Sequence, residues 1–265
     1  MTFLFDQETA LVPLEDGLFT IEASDIYRNP TGAAFGGWVS AVAGRAVAMH
    51  PQCSGPLVSQ QMIFVTGLGA GEVRISVQLL RTGASTQFWR VELTQNGSLT
   101  NAADVVTSTR RPTDLSYQLD MPQVKSPADS ASIQSVNPMA PEWIKHYDQR
   151  IAIGMPFTDN ESPETIAWIK ESDGRPVDRI SLLSICDTPL PRTFFVSKEF
   201  HPGSTVSMAT YIYASEEDLA EAGSDYMLLR VTGASVRNSA TDGRVELWSQ
   251  NGTLLATSSQ IGFFR

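Results

Sequence analysis

The sequence predicts an α+β fold made of two similar halves, in each of which an antiparallel sheet curls round one buried helix. Three observations predict it. Two pairs of segments repeat in the same order along the chain. Several stretches alternate apolar and polar residues, which is the period of a half-buried strand. Each half also contains one short helical stretch that is apolar on almost every side, as buried helices are.

The internal repeat is the basis for predicting two halves. Residues 90–99 (RVELTQNGSL) match residues 244–254 (RVELWSQNGTL) with one insertion. Just upstream of each, residues 79–85 (LLRTGAS) match residues 228–235 (LLRVTGAS), again with one insertion. Either match alone could arise by chance. Because the two pairs occur in the same order, we predict a duplicated unit.

Strands and turns follow from the same segments. Asn96-Gly97 and Asn251-Gly252 predict tight hairpin turns, because both residue types tolerate a positive φ angle. Residues 205–213 alternate between two faces and predict a strand. A final strand is predicted at 254–264.

One helix is predicted before the strands of each half. The first covers residues 35–49, where Gly and Ala leave room for strands to pack closely, and Pro51 follows its end. Its counterpart covers residues 177–186 and is stopped by Pro189. A stretch rich in Pro, Ser, Asp and Gln separates the halves. The predicted organisation is an N-terminal domain at 1–111, a linker at 112–141 and a C-terminal domain at 142–265.

Composition excludes several classes of protein. The chain has 19 basic and 29 acidic residues and a net charge of −10, which argues against a nucleic-acid partner. Its two cysteines, Cys53 and Cys186, have no metal-binding spacing. No apolar run is long enough to span a membrane, and the N-terminus has no basic segment typical of a signal peptide. We therefore expect a cytoplasmic protein without a metal ion or cofactor.

Polar residues at three positions of the C-terminal half point to a known family. LLSICD ends at Asp187, Thr205 opens the predicted strand, and ATSSQIG places Gln260 near the C-terminus. Together with the duplication and with Phe-Gly-Gly ending at Gly37, these residues resemble the acyl-CoA thioesterase II family over most of the chain. The resemblance implies a double-hotdog fold, hydrolysis of acyl-CoA to a fatty acid and CoA in lipid metabolism, and assembly into a homo-oligomer.

Two positions depart from the family pattern. The family commonly has Gln after Phe-Gly-Gly, whereas this chain has Trp38. The strand after the threonine often carries Asp-His, and here the residues are Ser207 and Met208. Neither change touches the three site residues that the resemblance implies.

The chemistry of these residues suits attack by water on a thioester. Asp187 is a carboxylate that can take the proton of an attacking water. Thr205 and Gln260 can each donate and accept a hydrogen bond and so hold that water. No histidine stands in a serine-type arrangement, which disfavours a covalent acyl-enzyme. The backbone N–H groups of Gly36 and Gly37, at a helix start, are candidate donors to the oxyanion; close packing of the helix on the sheet would explain these glycines equally well.

Other readings of the sequence remain open. A hotdog enoyl-CoA hydratase is expected to have His five residues after its aspartate, where this chain has Arg192. A non-catalytic acyl-CoA binding protein could keep the fold without turnover. The absence of a Gly-x-Ser-x-Gly segment argues against an α/β-hydrolase.

The repeat also predicts a single site per chain. Superposing the two halves gives first-half counterparts for Asp187, Thr205 and Gln260, which are, in that order, Arg45, Val58 and Val105. An arginine stays protonated and valines form no side-chain hydrogen bonds, so these residues cannot activate water.

Overall fold

The structure is a computed structural model that describes residues 2–111, 113–135 and 141–265. The chain divides into two compact units. The first unit comprises residues 1–117, 178–187 and 209–212, and the second comprises residues 118–177, 188–208 and 213–265.

Helices are few and short. The α-helices are α1 (Leu4–Glu8), α2 (Gly36–Met49), α3 (Arg179–Ile185), α4 (Thr193–Val196) and α5 (Glu216–Ala222). Single 3₁₀ turns cover Ile133–Ser135 and Glu142–His146. The predicted helices at 35–49 and 177–186 are confirmed as α2 and α3, although α3 ends two residues before Asp187.

Strands account for most of the regular structure. They are β1 (Val12–Glu15), β2 (Leu18–Ala23), β3 (Leu57–Phe64), β4 (Gly71–Thr82), β5 (Thr86–Gln95), β6 (Ser98–Ser108), β7 (Ala131–Ser132), β8 (Tyr147–Ile153), β9 (Thr165–Glu171), β10 (Gly203–Ile212), β11 (Met227–Thr232), β12 (Val236–Arg237), β13 (Ala240–Trp248) and β14 (Leu254–Phe264). The strands predicted at 205–213 and 254–264 are confirmed as β10 and β14. An antiparallel sheet with a few helices makes the fold α+β.

The sheet of the first unit wraps one side of helix α2. Its strand order is β1-β2-β4-β5-β6-β3, and every one of these pairs is antiparallel. Alternate residues of β5, Trp89, Val91 and Leu93, are fully buried, and α2 packs against this sheet. The period of two thus turns the apolar side chains toward the helix.

Helices α2 and α3 pack closely because glycines face α3. A Cβ atom added to Gly37 would lie 2.5 Å from the carbonyl oxygen of Ser184. Further along α2, a Cβ at Gly44 would lie 2.4 Å from Cδ1 of Leu183. Real Cβ contacts are longer, so at Gly37, which faces backbone, only glycine allows this approach. This contact accounts for the presence of residues 178–187 in the first unit.

The second unit has a sheet of the same kind. Its strand order is β14-β13-β11-β9-β8-β7, again antiparallel throughout, and β12 pairs with β13. On one of its faces lies a cluster of Ile166, Trp168 and Leu228. Met121 and Val124, from the predicted linker, pack against that cluster.

The predicted linker is therefore tied to the second unit over part of its length. Trp168 Nε1 donates a hydrogen bond to the carbonyl of Lys125 (2.9 Å), and Trp248 Nε1 donates one to the carbonyl of Leu119 (3.2 Å). Gln118 bonds the backbone next to β14 through both ends of its amide. Residues 112 and 136–140 of the predicted linker lie outside the described residues. The predicted boundaries at 111 and 141 stay a prediction, because the compact units are grouped by packing and are discontinuous along the chain.

The two predicted hairpin turns differ. Asn96 and Gly97 both have positive φ angles (51° and 77°), so this turn is as predicted. At the second site only Gly252 has a positive φ (89°), and the strands are separated by a longer loop closed by a hydrogen bond from Ser249 N to Thr253 O (2.8 Å). A tight turn is present at this site, where Gly252 N donates to the carbonyl of Ser249 (3.0 Å), and the inserted residue makes the loop longer than the one at Asn96-Gly97.

Candidate functional site

Asp187 is held just beyond the end of helix α3. The helix begins with a capping box, in which Ser181 N donates to Asp178 Oδ1 (2.7 Å) and Asp178 N donates to Ser181 Oγ (2.9 Å). At the other end, Asp187 N donates to the carbonyl of Ser184 (3.1 Å). This turn fixes the backbone of Asp187 in the middle of an apolar environment.

The carboxylate of Asp187 meets the first turn of helix α2. The backbone N–H of Gly37 donates a hydrogen bond to it. Its Oδ2 would lie 2.6 Å from a Cβ atom at Gly36, so an alanine there would collide with the carboxylate. The ring of Phe64 lies on another side of Gly36, 3.1 Å from the same Cβ position. A helix start carries free N–H groups and the positive end of the dipole, both of which favour an anion.

Two opposing effects act on the charge of Asp187. Removal of water by the surrounding protein raises the pKa of the carboxyl to about 7, and the hydrogen bond from Gly37 opposes this rise. The residue as a whole is of intermediate exposure. A carboxyl with a pKa near neutrality matches what a general base requires. The neighbouring thiol differs: burial, followed by the charge of Asp187, raises the pKa of Cys186 to about 12.

Gly36 and Gly37 lie where helix α2 meets Asp187. These glycines are predicted as candidate donors to an oxyanion, and Gly37 N–H instead donates to Asp187. Close packing is the part of the expectation that the structure supports, since Gly37 faces the backbone of Ser184 and Gly36 faces Asp187. Donation to an oxyanion by either glycine stays a prediction.

Thr205 and Gln260 are brought together on neighbouring strands of the second unit. Thr205 Oγ1 donates to Gln260 Oε1 at 3.4 Å, a long hydrogen bond. Both side chains are partly exposed. In this arrangement the Thr205 oxygen keeps its lone pairs and the Gln260 amide keeps its N–H groups for a third partner.

Glycines again allow the close approach. Gly243 is the cross-strand partner of Gln260, and a Cβ atom there would lie 3.4 Å from Gln260 Nε2. Gly262, two residues along β14, faces the carbonyl of Ser204 at 2.9 Å from the same type of position. The close approach therefore requires glycine at Gly262, whereas Gly243 is in ordinary contact with the Gln260 amide.

Asp187 belongs to the first unit, whereas Thr205 and Gln260 belong to the second. Their convergence on one water molecule stays a prediction. The family departure at Trp38 has a structural explanation, since this side chain is buried and its Nε1 donates to the carbonyl of Glu8 (2.7 Å). Trp38 thus anchors helix α1 on helix α2.

Sequence reasoning missed a buried polar region of the second unit. Arg192 is 3% exposed and donates to the carbonyls of Pro163 (2.8 Å) and Leu190 (2.6 Å) and to Thr165 Oγ1 (2.9 Å). It lines a cavity together with the buried Gln149. The available signal was the alternation of β8, in which Gln149 shares the buried face with Tyr147 and Ile151 while Asp148 and Arg150 lie on the other face.

Family models cover nearly the whole chain. The model of the acyl-CoA thioesterase N-terminal domain matches residues 25–110, and that of the acyl-CoA thioesterase C-terminal domain matches residues 120–264. The chain belongs to the acyl-CoA thioesterase family. Membership supports a thioesterase activity in general. None of the curated proteins matches this chain.

Solved structures resemble this thioesterase family member over their full length. A conserved protein of unknown function with a hotdog fold, from Alicyclobacillus acidocaldarius, is 28% identical with a TM-score of 0.95, covering 100% of this chain and 99% of that one. A putative thioesterase II from Thermobifida fusca is 19% identical with a TM-score of 0.85, covering 99% and 97%. The acyl-CoA thioesterase II TesB2 from Mycobacterium marinum is 18% identical with a TM-score of 0.79, covering 98% of each chain. The fold is a hotdog fold of the α+β class.

Among the described residues, not one helix combines the length and the apolar character needed to cross a bilayer.

Proposed function

We propose that the protein hydrolyses acyl-CoA thioesters to a carboxylic acid and CoA, using a water molecule activated by Asp187, Thr205 and Gln260. The single observation that carries the proposal is the carboxyl of Asp187, raised to a pKa of about 7 and held against the start of helix α2. Such a group is ionised in part at neutral pH and can accept a proton from water.

The reaction would proceed in two stages. The water oxygen attacks the thioester carbonyl carbon while Asp187 takes one of its protons. The tetrahedral intermediate then breaks its carbon–sulfur bond, and Asp187 returns the proton to the departing thiolate. Thr205 would accept a hydrogen bond from the water, and the Gln260 amide would donate one to it. No metal ion or cofactor takes part in this scheme.

The proposal includes the finer features of the family. We propose a double hotdog with one site per chain, a cytoplasmic location, a role in lipid metabolism and a homo-oligomeric assembly. The hydratase alternative is weakened by Arg192, because its buried guanidinium is committed to three oxygen acceptors. Burial lowers the pKa of Arg192 to about 9, which still leaves it protonated at neutral pH.

Release of CoA from a panel of acyl-CoAs of different chain length tests the proposal. The wild-type protein should release CoA without added metal or nucleotide. Asp187→Asn keeps the shape of the side chain but cannot accept the proton, so kcat should fall by about 10²-fold or more. Asp159→Asn, at a carboxylate 87% exposed, is the matched control and should retain full activity. If no acyl-CoA is hydrolysed but one binds, the protein is an acyl-CoA binding protein.

A further inference from the structure

A cavity lies within the second unit, on the face of its sheet opposite the one covered by the linker residues. One wall consists of strand residues, among them Ile151, Ala167 and Leu229. The other wall is the segment that runs from Thr188 to Phe195. The space between the two walls is about 380 Å³, most of which belongs to the open mouth, so the enclosed part has room for a short chain rather than a long one.

Gln149 is the unusual residue of this cavity. It lies on β8, is 6% exposed, and lines the cavity among apolar side chains. Its Nε2 has no hydrogen-bond partner among the described residues. Leaving a buried polar group unsatisfied costs roughly 1–3 kcal/mol, so native proteins seldom do so without a reason. The amide is therefore available to a molecule that enters the cavity.

The second wall begins, along the chain, with the residue that follows the proposed base. Thr188 lines the cavity and directly follows Asp187 in the chain. Arg192 keeps the segment in place through its hydrogen bonds to Pro163, Leu190 and Thr165, and its guanidinium lies 4.3 Å from the ring centre of Phe195. The segment that lines the cavity thus follows the proposed base directly in the sequence.

We propose that this cavity receives the acyl group and that Gln149 selects short acyl groups carrying a hydroxyl or oxo oxygen. The inference rests on the proposed function and names its substrate class. A neutral amide can both donate to and accept from a neutral oxygen group. An ionised carboxylate would need a charged partner. Arg192 is the cation of this cavity, but it bonds Thr165, whereas Gln149 pairs with Ile169, about 13 Å further along β9.

Matched four-carbon substrates test the selection. Hydrolysis of butanoyl-CoA, 3-hydroxybutanoyl-CoA, 4-hydroxybutanoyl-CoA, 3-oxobutanoyl-CoA and succinyl-CoA is compared by CoA release. The wild-type protein should favour at least one hydroxyl or oxo substrate over butanoyl-CoA by about 3–10-fold in kcat/KM, the value of one hydrogen bond. Succinyl-CoA should gain nothing. A preference for succinyl-CoA would overturn the inference in favour of a carboxylate subsite.

Substitution of Gln149 tests whether this residue causes the preference for hydroxyl or oxo substrates. Gln149→Leu should remove the preference by lowering kcat/KM for the oxygenated substrate relative to kcat/KM for butanoyl-CoA. Gln149→Met serves the same purpose if the leucine variant does not fold. Gln78→Leu, at an exposed strand position, is the matched control and should behave as wild type. Equal activity of wild type and Gln149→Leu on all substrates would overturn the inference and leave the proposed function standing.

Binding measurements distinguish failure of the inference from failure of the proposed function. If no substrate is hydrolysed, the proposed function fails. Calorimetry with 3-hydroxybutanoyl-CoA and butanoyl-CoA then decides the inference alone. A tighter Kd for the hydroxylated ligand in wild type, lost in Gln149→Leu, supports the selection; equal affinities overturn it.

Discussion

The charge of Asp187 reflects a balance between a dry environment and one hydrogen bond. The surrounding protein raises the pKa of the carboxyl to about 7, and the N–H of Gly37 at the start of α2 limits the rise. A general base works best with a pKa near the working pH. The pKa of Asp187 depends on the residues that contact its carboxyl, and these contacts cannot be read from the sequence alone.

The rate of hydrolysis should follow the ionisation of Asp187. Only the carboxylate can accept a proton from water, so kcat/KM should rise with pH and level off above an apparent pKa of about 7. Steady-state CoA release between pH 5 and 9 measures this profile. A rate that is constant down to pH 5 would assign the proton transfer to another group.

Stability should depend on pH through the same carboxyl. Its pKa is raised from 3.8, the ordinary value of an aspartate side chain, to about 7 in the folded protein, so folding takes up a proton between these values. The associated stabilisation is complete below about pH 4 and is lost as the pH rises through 7. Asp187→Asn cannot titrate and should exceed the wild type in free energy of unfolding at pH 8.5 by about 1–3 kcal/mol.

Urea unfolding of both proteins at pH 5 and pH 8.5 measures this difference. All other titrating groups are shared and cancel in the comparison. A difference between variant and wild type that is the same at both pH values would contradict the raised pKa.

At the scale of elements, the packing of helix α2 on helix α3 depends on glycines. Gly37 faces the backbone oxygen of Ser184, which cannot move aside, whereas Gly44 faces the tip of the Leu183 side chain, which can. Gly37→Ala should therefore lower the free energy of unfolding by about 1–3 kcal/mol, although alanine is the better helix former.

Gly44→Ala is the matched control in the same helix and should lose less. Denaturant unfolding of both variants, analysed for midpoint and slope, measures the loss. Equal stability of Gly37→Ala and wild type would mean that α3 does not pack on α2 as described.

The sequence allowed the larger elements to be predicted because periodicity reports on burial. Helix α2, strands β10 and β14 and the turn at Asn96-Gly97 all appear where the pattern indicated. Helix α5 is not among the predicted elements, although Ser215 caps it and Asp218 N donates to Ser215 Oγ (3.1 Å). The Ser-x-x-Asp spacing was the available signal.

Features that depend on distant contacts could not be predicted. The bond between Gly37 and Asp187 joins residues far apart in sequence, and so does the support of the linker by Trp168 and Trp248. The alternation of β8 could have placed Gln149 on the buried face, but the lack of a partner for its Nε2 depends on residues far away in the sequence.

At the scale of the whole molecule, the register of the two hairpins bears on the number of sites. The repeat aligns Arg90 with Arg244, so the preceding residues Trp89 and Gly243 correspond. Trp89 pairs with Val105 and Gly243 pairs with Gln260, which confirms Val105 as the counterpart of Gln260. In the first unit the fully buried indole of Trp89 thus occupies the position that corresponds to Gly243, the glycine next to Gln260 in the second unit.

Each chain should therefore bind one substrate molecule. Titration calorimetry with a thioether analogue of an acyl-CoA, which cannot be hydrolysed, should give one equivalent bound per chain. Val105→Ala should leave this stoichiometry unchanged, whereas Gln260→Ala should weaken binding or turnover. Two equivalents per chain would show that the first unit keeps a site of its own.

The placement of α3 in the first unit also has a consequence for synthesis of the chain on the ribosome. The N-terminal strands and α2 are made early, yet the unit is completed only by residues 178–187 and 209–212. At roughly 5–20 residues per second, the ribosome needs about 5–20 s to advance from the end of β6 to that point. During this interval the glycine-lined side of α2 has no α3 packed against it. We therefore expect a nascent chain stalled before residue 187 to be sensitive to proteases and to bind chaperones.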